Sequence, residues 1–432
     1  MDTVRKELLP GVWLTALRSG KFKTGCLSVT LLTQLDRETA AMNAVIPFVL
    51  RRGSRYRTDM QTLAVELDRL YGSRIEPRVR RVGEIQCIGL AASFPDDRCL
   101  PAGSSVFESV AQLCAELLLT PCTKGGLLLP DYVESEKEKL LERIKGRIND
   151  KRSYAVLRLL EQMCCYEAFA VPPLGTEDAA ENIHYQKLTK HYRSLIQTAP
   201  VEIFYCGSED ADTVSDILSD ALSGMSRGET DYDIGTDIRM NAVEDEVRVF
   251  TDEMSVTQGK IVMGYRLGDC MDDPDLAALR VFNAVFGGGV TSKLFVNVRE
   301  RLSLCYYASS TVNVQKGIMY VSCGVDFDKF DAAKTEIEAQ LDAIRRGEVS
   351  EDELCAAKRS CAADLLAVAD DQNELESFYL KSTLDGLDVE PEELAAAIDC
   401  VELEDIVQIA RSIVPDAVYY LRGTDEEDGD EA

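Results

Sequence analysis

The segment FGGGVTSKLFVNVRERLSLCYY, residues Phe286–Tyr307, is the most informative part of this sequence. Three glycines precede apolar residues that recur about every 3.6 positions, a period that predicts an amphipathic helix. The apolar face of this helix is predicted to hold Leu294, Val298 and Leu302. The remaining face is predicted to hold Lys293, Asn297, Arg299 and Glu300.

Arg299 and Tyr306 are the candidate functional residues of this segment, because they stand seven positions apart across a predicted helix-to-strand junction. Tyr306 begins the β-like run YYASSTVNV. We therefore expect the polar ends of both side chains to reach one cavity. Taken singly, each residue also fits an ordinary role, since arginines commonly line solvated helix faces and tyrosines often lie half-buried where a strand begins.

The residues Gly287, Gly288 and Gly289 predict the end of a helix, where the backbone often needs a positive φ. The sequence GGGVTSK is superficially similar to a phosphate-binding loop. That motif requires Gly-Lys-Ser/Thr between a strand and a helix, whereas Lys293 follows Ser292 and the preceding DLAALRVFNAVF is itself helical in pattern. We therefore exclude a nucleotide site here.

The length of 432 residues favours two domains, and the formal net charge of −28 excludes several classes of partner. Nucleic acids and anionic membranes bind clustered Lys and Arg, so neither is expected as a partner. No apolar run is long enough to span a bilayer, and MDTVRKELLPGVWLT lacks the apolar core of a signal peptide. The sequence thus predicts a cytoplasmic protein.

The fourteen cysteines and two histidines show no metal-binding pattern. No two cysteines have the C-x-x-C spacing, and reduced, mostly buried thiols are expected in a chain without an export signal. His184 and His191 are seven positions apart, whereas zinc-binding pairs on a helix are usually three or four apart. We predict no metal site in this chain.

The order of predicted elements is the same in both halves of the chain. In the first half, a helix over Met60–Gly72 is followed by the predicted strands RIEPRVRRVG and EIQCIGLAASFPD. In the second half, SKLFVNVRERL is followed by CYYASSTVNVQ and GIMYVSCGVDFD. Long helices follow in each copy, and a short terminal strand completes it. These two strands are predicted at Val201–Asp210 and Ala417–Glu426. This order predicts an α+β fold of two similar domains, each a mostly antiparallel sheet packed with helices.

Two stretches without apolar periodicity set the predicted domain boundaries. Residues 226–246, SRGETDYDIGTDIRMNAVEDE, are rich in Gly, Asp and Glu and are predicted to form a linker. Residues 423–432, GTDEEDGDEA, are predicted to form a disordered acidic tail. The first domain is therefore predicted over 1–225 and the second over 247–422.

Phe286–Tyr307 and the repeated plan together resemble insulinase/pitrilysin-type metallopeptidases, the inverzincin family that includes the mitochondrial processing peptidase. The resemblance extends over nearly the whole chain. It implies that the two domains form half of a clamshell and that Arg299 and Tyr306 bind the peptide substrate, with Tyr307 as the alternative to Tyr306. Members of this family also bind peptides as an added β-strand at a sheet edge.

Active members of this family carry H-x-x-E-H on a helix of the first domain, with two zinc-binding histidines and a glutamate as general base. The turn at 52–54 and the helix after it align this motif with AVIPF, residues 44–48. The ligand and base positions then hold Ala44, Pro47 and Phe48, none of which can bind zinc. Pro47 is expected to bend or break this buried helix.

The third zinc ligand of the family is a glutamate on a later helix, which corresponds here to ESEKEKLLERIKGRIND. The alignment places Arg143 at that position, next to Glu142. All three ligand positions therefore lack a zinc ligand, whereas Arg299 and Tyr306 are present. The resemblance thus implies a zinc-free, non-catalytic subunit of a two-chain metallopeptidase.

In such a heterodimer, a homologous subunit would bring H-x-x-E-H and zinc, and the substrate would be a peptide or an unfolded polypeptide. Tyr306 would donate to the scissile carbonyl or its oxyanion, and Arg299 would hold a substrate carbonyl and orient Tyr306. The alternative is a structural or peptide-binding protein of the same fold without a proteolytic role. A peptidase active by itself is disfavoured, because the chain has only two histidines.

Overall fold

The computed structural model describes residues 2–239, 243–244, 246–268 and 275–424. The strands are β1 Asp2–Leu9, β2 Val12–Arg18, β3 Thr24–Gln34, β4 Arg74–Val82, β5 Ile85–Pro95, β6 Thr123–Lys124, β7 Leu127–Leu128, β8 Val201–Gly207, β9 Arg248–Met254, β10 Gly259–Arg266, β11 Cys305–Asn313, β12 Ile318–Val325 and β13 Val414–Gly423.

The α-helices are α1 Ala40–Leu50, α2 Met60–Arg69, α3 Val106–Leu119, α4 Pro130–Gly146, α5 Lys151–Met163, α6 Glu177–Glu181, α7 Tyr185–Thr198, α8 Ala211–Ala221, α9 Asp275–Phe286, α10 Phe330–Arg345, α11 Glu351–Val368, α12 Gln372–Leu384, α13 Pro391–Cys400 and α14 Leu403–Ser412. A π-helix covers Leu294–Arg301. Short 3-10 helices cover Asp97–Cys99, Arg147–Asn149, Ala168–Ala170 and Val314–Lys316.

The chain forms two compact units, and each unit takes one segment from the other half of the sequence. The first unit comprises Met1–Lys145, Val171–Thr236 and Asp371–Asp388. The second comprises Gly146–Ala170, Asp237–Asp370 and Val389–Ala432. Helix α5 therefore belongs to the second unit and helix α12 to the first. Local periodicity gives no sign of this exchange, because it depends on contacts between residues far apart in sequence.

The main sheets of the two units share the arrangement of five strands, and the sheet of the first unit has β1 in addition. The sheet of the first unit has the order β1-β2-β8-β3-β5-β4, and that of the second has the order β11-β12-β10-β13-β9. Each sheet has a single parallel pair, β2 with β8 in the first unit and β13 with β9 in the second. Strands β4, β5, β3, β8 and β2 thus correspond to β11, β12, β10, β13 and β9. This correspondence confirms the predicted α+β fold with two similar, mostly antiparallel sheets.

Helix α5 packs on the sheet of the second unit through an apolar face. Its residues Ala155, Leu159 and Met163 lie in one buried cluster with Val262 of β10 and Tyr419 of β13. The sheet allows this close approach at Gly264, where a Cβ atom would lie 2.6 Å from the sulfur of Met163. A residue with a side chain at position 264 would therefore push α5 away from the sheet.

A buried ionic cluster joins α5 and its flanking turn to the same sheet. Arg266 is 1% exposed, and it lies 2.6 Å from Glu167 Oε1 and 2.9 Å from Asp416 Oδ2. Lys316 Nζ lies 2.6 Å from Glu167 Oε2, and Arg248 pairs with Asp416. Because an uncompensated buried charge is costly, removing one member of such a cluster typically costs about 3–5 kcal/mol. The cluster was not predicted, although Arg266 and Lys316 are conspicuous as charged residues next to apolar strands.

The segment predicted as a linker is held against the first unit over part of its length. Residues 226–239 contain no helix or strand, and Arg227 donates hydrogen bonds to the carbonyl oxygens of Pro10, Ile196 and Ala199. Farther along, Thr236 Oγ1 accepts from the backbone N–H of Glu84 at 2.9 Å. Residues 240–242 and 245 of the predicted linker and residues 425–432 of the predicted acidic tail lie outside the described residues.

Candidate functional site

The glycine run follows α9 directly, but its role differs from the predicted one. The predicted helix end is present, since α9 ends at Phe286, but none of Gly287, Gly288 and Gly289 has a positive φ. A Cβ atom on Gly287 would instead lie 2.6 Å from the backbone nitrogen of Ser310 and 2.7 Å from Leu294. The carbonyl of Gly287 accepts a hydrogen bond from that same nitrogen at 3.1 Å. The glycine is therefore needed because β11 and the following helix approach the backbone closely.

The helix after the glycines is a π-helix, and its buried face is narrower than the α-helical period predicts. Leu294 and Val298 are fully buried, whereas Leu302 is 45% exposed. Each π-helical hydrogen bond spans five residues, as between the N–H of Leu302 and the carbonyl of Asn297, so the apolar positions do not stay in line. Lys293 also departs from the prediction, because it is buried and its Nζ lies 2.9 Å from Glu353 Oε1.

Arg299 lies near the end of the π-helix with its side chain 39% exposed. Its guanidinium lies 4.6 Å from the centre of the Phe295 ring, and its Nε is 3.6 Å from Glu300 Oε1. The ring supports the charged group on one side, while the exposed part stays available to a ligand. π-helical turns inside or beside helices often occur at functional sites.

Tyr306 is the extra residue of a β-bulge between β11 and β12. Cys305 pairs with Val325 and Tyr307 pairs with Gly324, so Tyr306 has no partner of its own in the ladder. Bulges of this kind redirect a side chain and are common beside functional sites. Tyr306 is 59% exposed. The bulge thus exposes the phenol to solvent at the beginning of β11, which is an edge strand of the sheet.

The hydroxyl of Tyr306 donates a hydrogen bond to Asp326 Oδ1 at 2.9 Å. Lys329 Nζ lies 2.9 Å from the other oxygen of the same carboxylate. The hydrogen bond to Asp326 raises the pKa of Tyr306, and Lys329 with Tyr306 lowers the pKa of Asp326. The phenol is therefore a neutral donor at physiological pH, already bonded to an anionic acceptor.

Tyr307, the alternative candidate, is held in a different way. The guanidinium of Arg152 lies 4.1 Å from the centre of its ring, and its hydroxyl lies 3.4 Å from Ser322 Oγ. The ring also covers Gly324, where a Cβ atom would lie 2.5 Å from it. Tyr307 is thus packed between the sheet and Arg152, whereas Tyr306 projects from the bulge. The contact with Arg152 could not be predicted, because the two residues are far apart in the sequence.

Arg299 and Tyr306 are brought to the same end of the sheet, although each contacts different neighbours. The pKa of the Cys305 thiol is lowered by a hydrogen bond with Cys323 and by the positive charge of Arg299. The π-helix that carries Arg299 also packs against β11, the strand that carries Tyr306. The Tyr306 side chain is exposed and that of Arg299 is 39% exposed, so both polar groups are accessible in this unit.

The positions aligned with the zinc motif lie on α1 in the first unit, and most of them are in its core. Ala44, Val45 and Ile46 are buried, as is Pro47, whereas Phe48 is half-buried. The helix continues to Leu50, so Pro47 does not end it, and the expected break is wrong. The segment is a buried helix, as predicted.

Arg143 on α4 and Phe48 on α1 are in direct contact. The guanidinium of Arg143 lies 3.9 Å from the centre of the Phe48 ring. Two of the aligned ligand positions are therefore neighbours in space, and a cation–π contact joins them. A guanidinium at this place would also repel a divalent cation, because their charges have the same sign.

One of the two histidines lies against α1. His191 Nε2 lies 2.5 Å from Asn43 Oδ1, next to Ala44, and burial lowers the pKa of His191. His184 precedes the first residue of α7 and is exposed. Within the ranges that the structure describes, no group of three or more His, Cys, Asp or Glu side chains is arranged to hold a metal ion.

The described cysteines are all free thiols, and seven of the thirteen are buried. Cys99, Cys165, Cys355 and Cys400 are exposed, and Cys270 lies outside the described residues. In the part of the chain that is described, no helix combines the length and the apolar character needed to cross a membrane.

Comparisons with known proteins identify the family of this chain. The sequence profile of a family described as "Peptidase M16 inactive domain" matches residues 182–361. A protein of Bacillus subtilis (strain 168) described as "Probable inactive metalloprotease YmfF" is 31% identical over 417 residues, which is 96% of this chain and 96% of that protein.

Solved structures show the same fold. A conserved protein from Enterococcus faecalis V583 superposes with a TM-score of 0.90 and 26% identity, over 99% of this chain and 100% of that chain. A structure described as "peptidase M16 inactive domain" from Pseudomonas fluorescens has a TM-score of 0.79 and 15% identity, over 98% and 99% of the two chains. These matches confirm the resemblance found in the sequence. The chain therefore belongs to the peptidase M16 family and is similar over nearly its whole length to a member described as inactive.

Proposed function

We propose that this chain is the zinc-free subunit of a two-chain metallopeptidase, in which Arg299 and Tyr306 bind a peptide at the zinc site of a homologous partner. The observation that carries the proposal is the contrast between two regions. Ala44 and Pro47, at two of the aligned zinc-motif positions, are buried in a core, whereas Tyr306 is exposed in a bulge and the Arg299 side chain is 39% exposed.

Tyr306 has the properties required of a donor to a developing oxyanion. Its phenol is neutral and projects from a strand that is fixed by the sheet. In the chain alone its proton is directed to Asp326. Binding of a peptide therefore requires the phenol to exchange this carboxylate for a peptide carbonyl, and a donor aimed at an oxyanion is worth about 10² to 10³ in rate.

The edge position of β11 supports the same function. An extended peptide can add to an edge strand through main-chain hydrogen bonds, which bind many sequences with little preference. The bulge at Tyr306 interrupts this edge at its first residues. A peptide that pairs along β11 would therefore pass the Tyr306 hydroxyl as it leaves the strand. The partner's zinc would supply a polarised water for the hydrolysis.

Co-expression with a homologue that carries H-x-x-E-H tests the proposal. We expect the two proteins to co-elute in size-exclusion chromatography and to hydrolyse an unfolded polypeptide together, while each alone is inactive. Obligate interfaces commonly bury on the order of 2,000 Å² or more, so the complex should persist at micromolar concentration. Separate elution in the presence of peptide would contradict the proposal.

Metal analysis of the purified chain provides a second test. We expect no stoichiometric zinc in this chain and one zinc per heterodimer, which is lost together with activity when a chelator is added. About one tightly bound zinc per isolated chain would show that the aligned motif positions are misplaced. In that case the role of the chain as the zinc-free subunit would be wrong.

The alternative function, peptide binding without hydrolysis, shares the edge strand but not the requirement for the Tyr306 hydroxyl. If the co-expressed complex binds peptide but does not hydrolyse it, this alternative is favoured.

A further inference from the structure

A cavity of about 540 Å³ lies in the second unit at one end of its sheet. It is formed by the turn between β9 and β10, the first residue of α5 and the residue that follows β13. The residues that line it are Lys151, Ser255, Val256, Thr257, Gln258, Lys260 and Thr424. We call it the lysine cavity. Its lining combines two ammonium groups, three hydroxyls and an amide, which all donate hydrogen bonds.

The two lysines of this cavity have neutral partners. Lys151 Nζ lies 3.8 Å from the sulfur of Met254, and Lys260 Nζ donates to Gln258 Oε1. Within the described ranges, neither ammonium forms an ion pair. Lys260 is only 8% exposed, and burial, with a contribution from the charge of Arg152, lowers its pKa. In a chain of formal charge −28, a cavity with two lysines and no carboxylate partner is prepared to accept an anion.

The lysine cavity adjoins the candidate substrate site. Lys260 Nζ lies 5.8 Å from the centre of the Tyr307 ring, which is also covered by Arg152. Gln258 Oε1 approaches the place where a Cβ atom of Gly324 would lie, at 3.3 Å, and Gly324 pairs with Tyr307. Tyr307 is the residue after Tyr306. The cavity therefore lies beside the residue that follows Tyr306 in β11.

We propose that the lysine cavity binds a carboxylate of the peptide that occupies the Arg299 and Tyr306 site. The inference rests on the proposed function for the identity of its ligand as a peptide. Lys151 and Lys260 would provide the charge, and the hydroxyls of Ser255 and Thr257 would donate to the same oxygens. The carboxylate has two sources, an acidic side chain near the scissile bond or the C-terminus of the peptide. The chain would thus give the complex a preference for acidic ligands, despite its own negative charge.

Direct binding to this chain alone tests the inference independently of catalysis. Three fluorescently labelled decapeptides of one apolar sequence would be compared by anisotropy: one with a single Glu and an amidated C-terminus, one without Glu and with a free C-terminus, and one with neither carboxylate. We expect at least one of the first two to bind about tenfold or more tightly than the third, since hydrogen bonds to charged groups are stronger than those between neutral groups. The tighter of the two identifies the source of the carboxylate.

Two variants connect this preference to the cavity. Lys260→Met and Lys151→Met should each reduce the preference for the carboxylate peptide by about tenfold, with the neutral peptide unaffected. Lys151 is only half-buried, so its variant remains informative if Lys260→Met does not fold. Lys190→Met on α7 of the first unit makes the same change in net charge at an exposed lysine and should retain the full preference.

Equal affinity for all three peptides would overturn the inference, as would an unchanged preference in folded Lys260→Met and Lys151→Met proteins. Neither result depends on the partner or on hydrolysis. If the chain discriminates carboxylates but no active heterodimer forms, the lysine cavity stands and the proposed catalytic role fails. If the heterodimer is active but the chain does not discriminate carboxylates, the proposed catalytic role stands and the lysine cavity fails as a carboxylate site.

Discussion

The zinc-motif region of the first unit and the Arg299–Tyr306 region of the second differ in what their side chains contact. On α1, Ala44 is 0% exposed and packs among apolar neighbours. In the bulge of β11, Tyr306 is 59% exposed and bonds to a carboxylate. The first region contributes to stability through burial, whereas the second contributes little to the core.

This difference shows that one repeated fold can hold a packed region in one copy and an accessible region in the other. The side chains on α1 are fixed by the requirement to fill space, because interiors are close-packed. Tyr306 is 59% exposed and the Arg299 side chain 39% exposed, as the binding role proposed for them requires. Substitutions should therefore change stability in the first region and activity in the second.

The largest effect is expected when a charge is placed on α1. Ala44→Asp buries a carboxylate without a partner, so we expect the free energy of unfolding to fall by about 3–5 kcal/mol in urea denaturation. Val290→Asp is the matched control, because Val290 is 71% exposed, and it should change stability by no more than about 0.5 kcal/mol. Equal stability of the two variants would contradict the packed role of α1.

The next effect concerns the second region and should appear only in activity. Tyr306→Phe and Arg299→Ala should slow peptide hydrolysis by the reconstituted heterodimer by about 10² to 10³ fold, because the first removes the donor to the scissile carbonyl and the second removes the group that orients this donor. The unfolding free energy should change by about 1 kcal/mol or less.

Tyr166→Phe and Arg301→Ala alter an exposed tyrosine and an exposed arginine of the same unit and serve as controls. Both should retain wild-type turnover. Turnover and melting temperature should be measured on the same preparations. Normal turnover of Tyr306→Phe and Arg299→Ala would contradict the proposed catalytic role of the second region.

A smaller effect is expected from the contact between Arg143 and Phe48. A double-mutant cycle with Arg143→Met and Phe48→Leu should give a coupling of about 0.5–1 kcal/mol in unfolding free energy, the usual size of a cation–π contact. Such a coupling would sharpen the comparison, because it would mean that two aligned ligand positions now stabilise the fold without a metal. A coupling near zero would mean that the two side chains meet without stabilising each other.

The smallest effect is a pH dependence at His191. Burial, with a contribution from Lys187, lowers the pKa of this histidine in the folded chain, so folding favours its neutral form. The associated stability is present above the unfolded-state pKa of about 6.5 and is lost as the pH falls from there towards the lowered folded-state value. We expect His191→Gln to flatten this part of the stability profile, and the exposed His184→Gln to leave it unchanged. Parallel profiles for wild type and His191→Gln would contradict the expectation.

The repeated fold could be predicted from the sequence because its elements are local. The hairpins at 74–95 and 305–325 follow helices in the same order, and the structure has strands at both places. The exposed Leu302 and the buried Lys293 were predicted wrongly, since a π-helix cannot be distinguished from an α-helix by apolar spacing alone. The bulge at Tyr306 was also hidden, because strand register depends on the partner strand.

Contacts between distant segments could not be predicted. Arg152 lies over Tyr307, and Glu167 pairs with Arg266, although each pair is about a hundred or more residues apart in sequence. The pattern of apolar residues around 151–163 predicts a helix, but it does not predict the sheet against which this helix packs. The lysine cavity has the same origin, since its lining comes from three separate stretches of the chain.

The exchange of α5 and α12 between the two halves of the sequence has a consequence for biosynthesis. The first unit needs Asp371–Asp388, and the second needs β13, which lies between β10 and β9 in its sheet and ends at Gly423. Domains usually fold one after another as the ribosome releases them. Here neither unit has all its parts until most of the chain has been translated, so the nascent polypeptide must emerge with unpaired strand edges. We therefore expect a message that stops before codon 371 to yield a product without any complete unit.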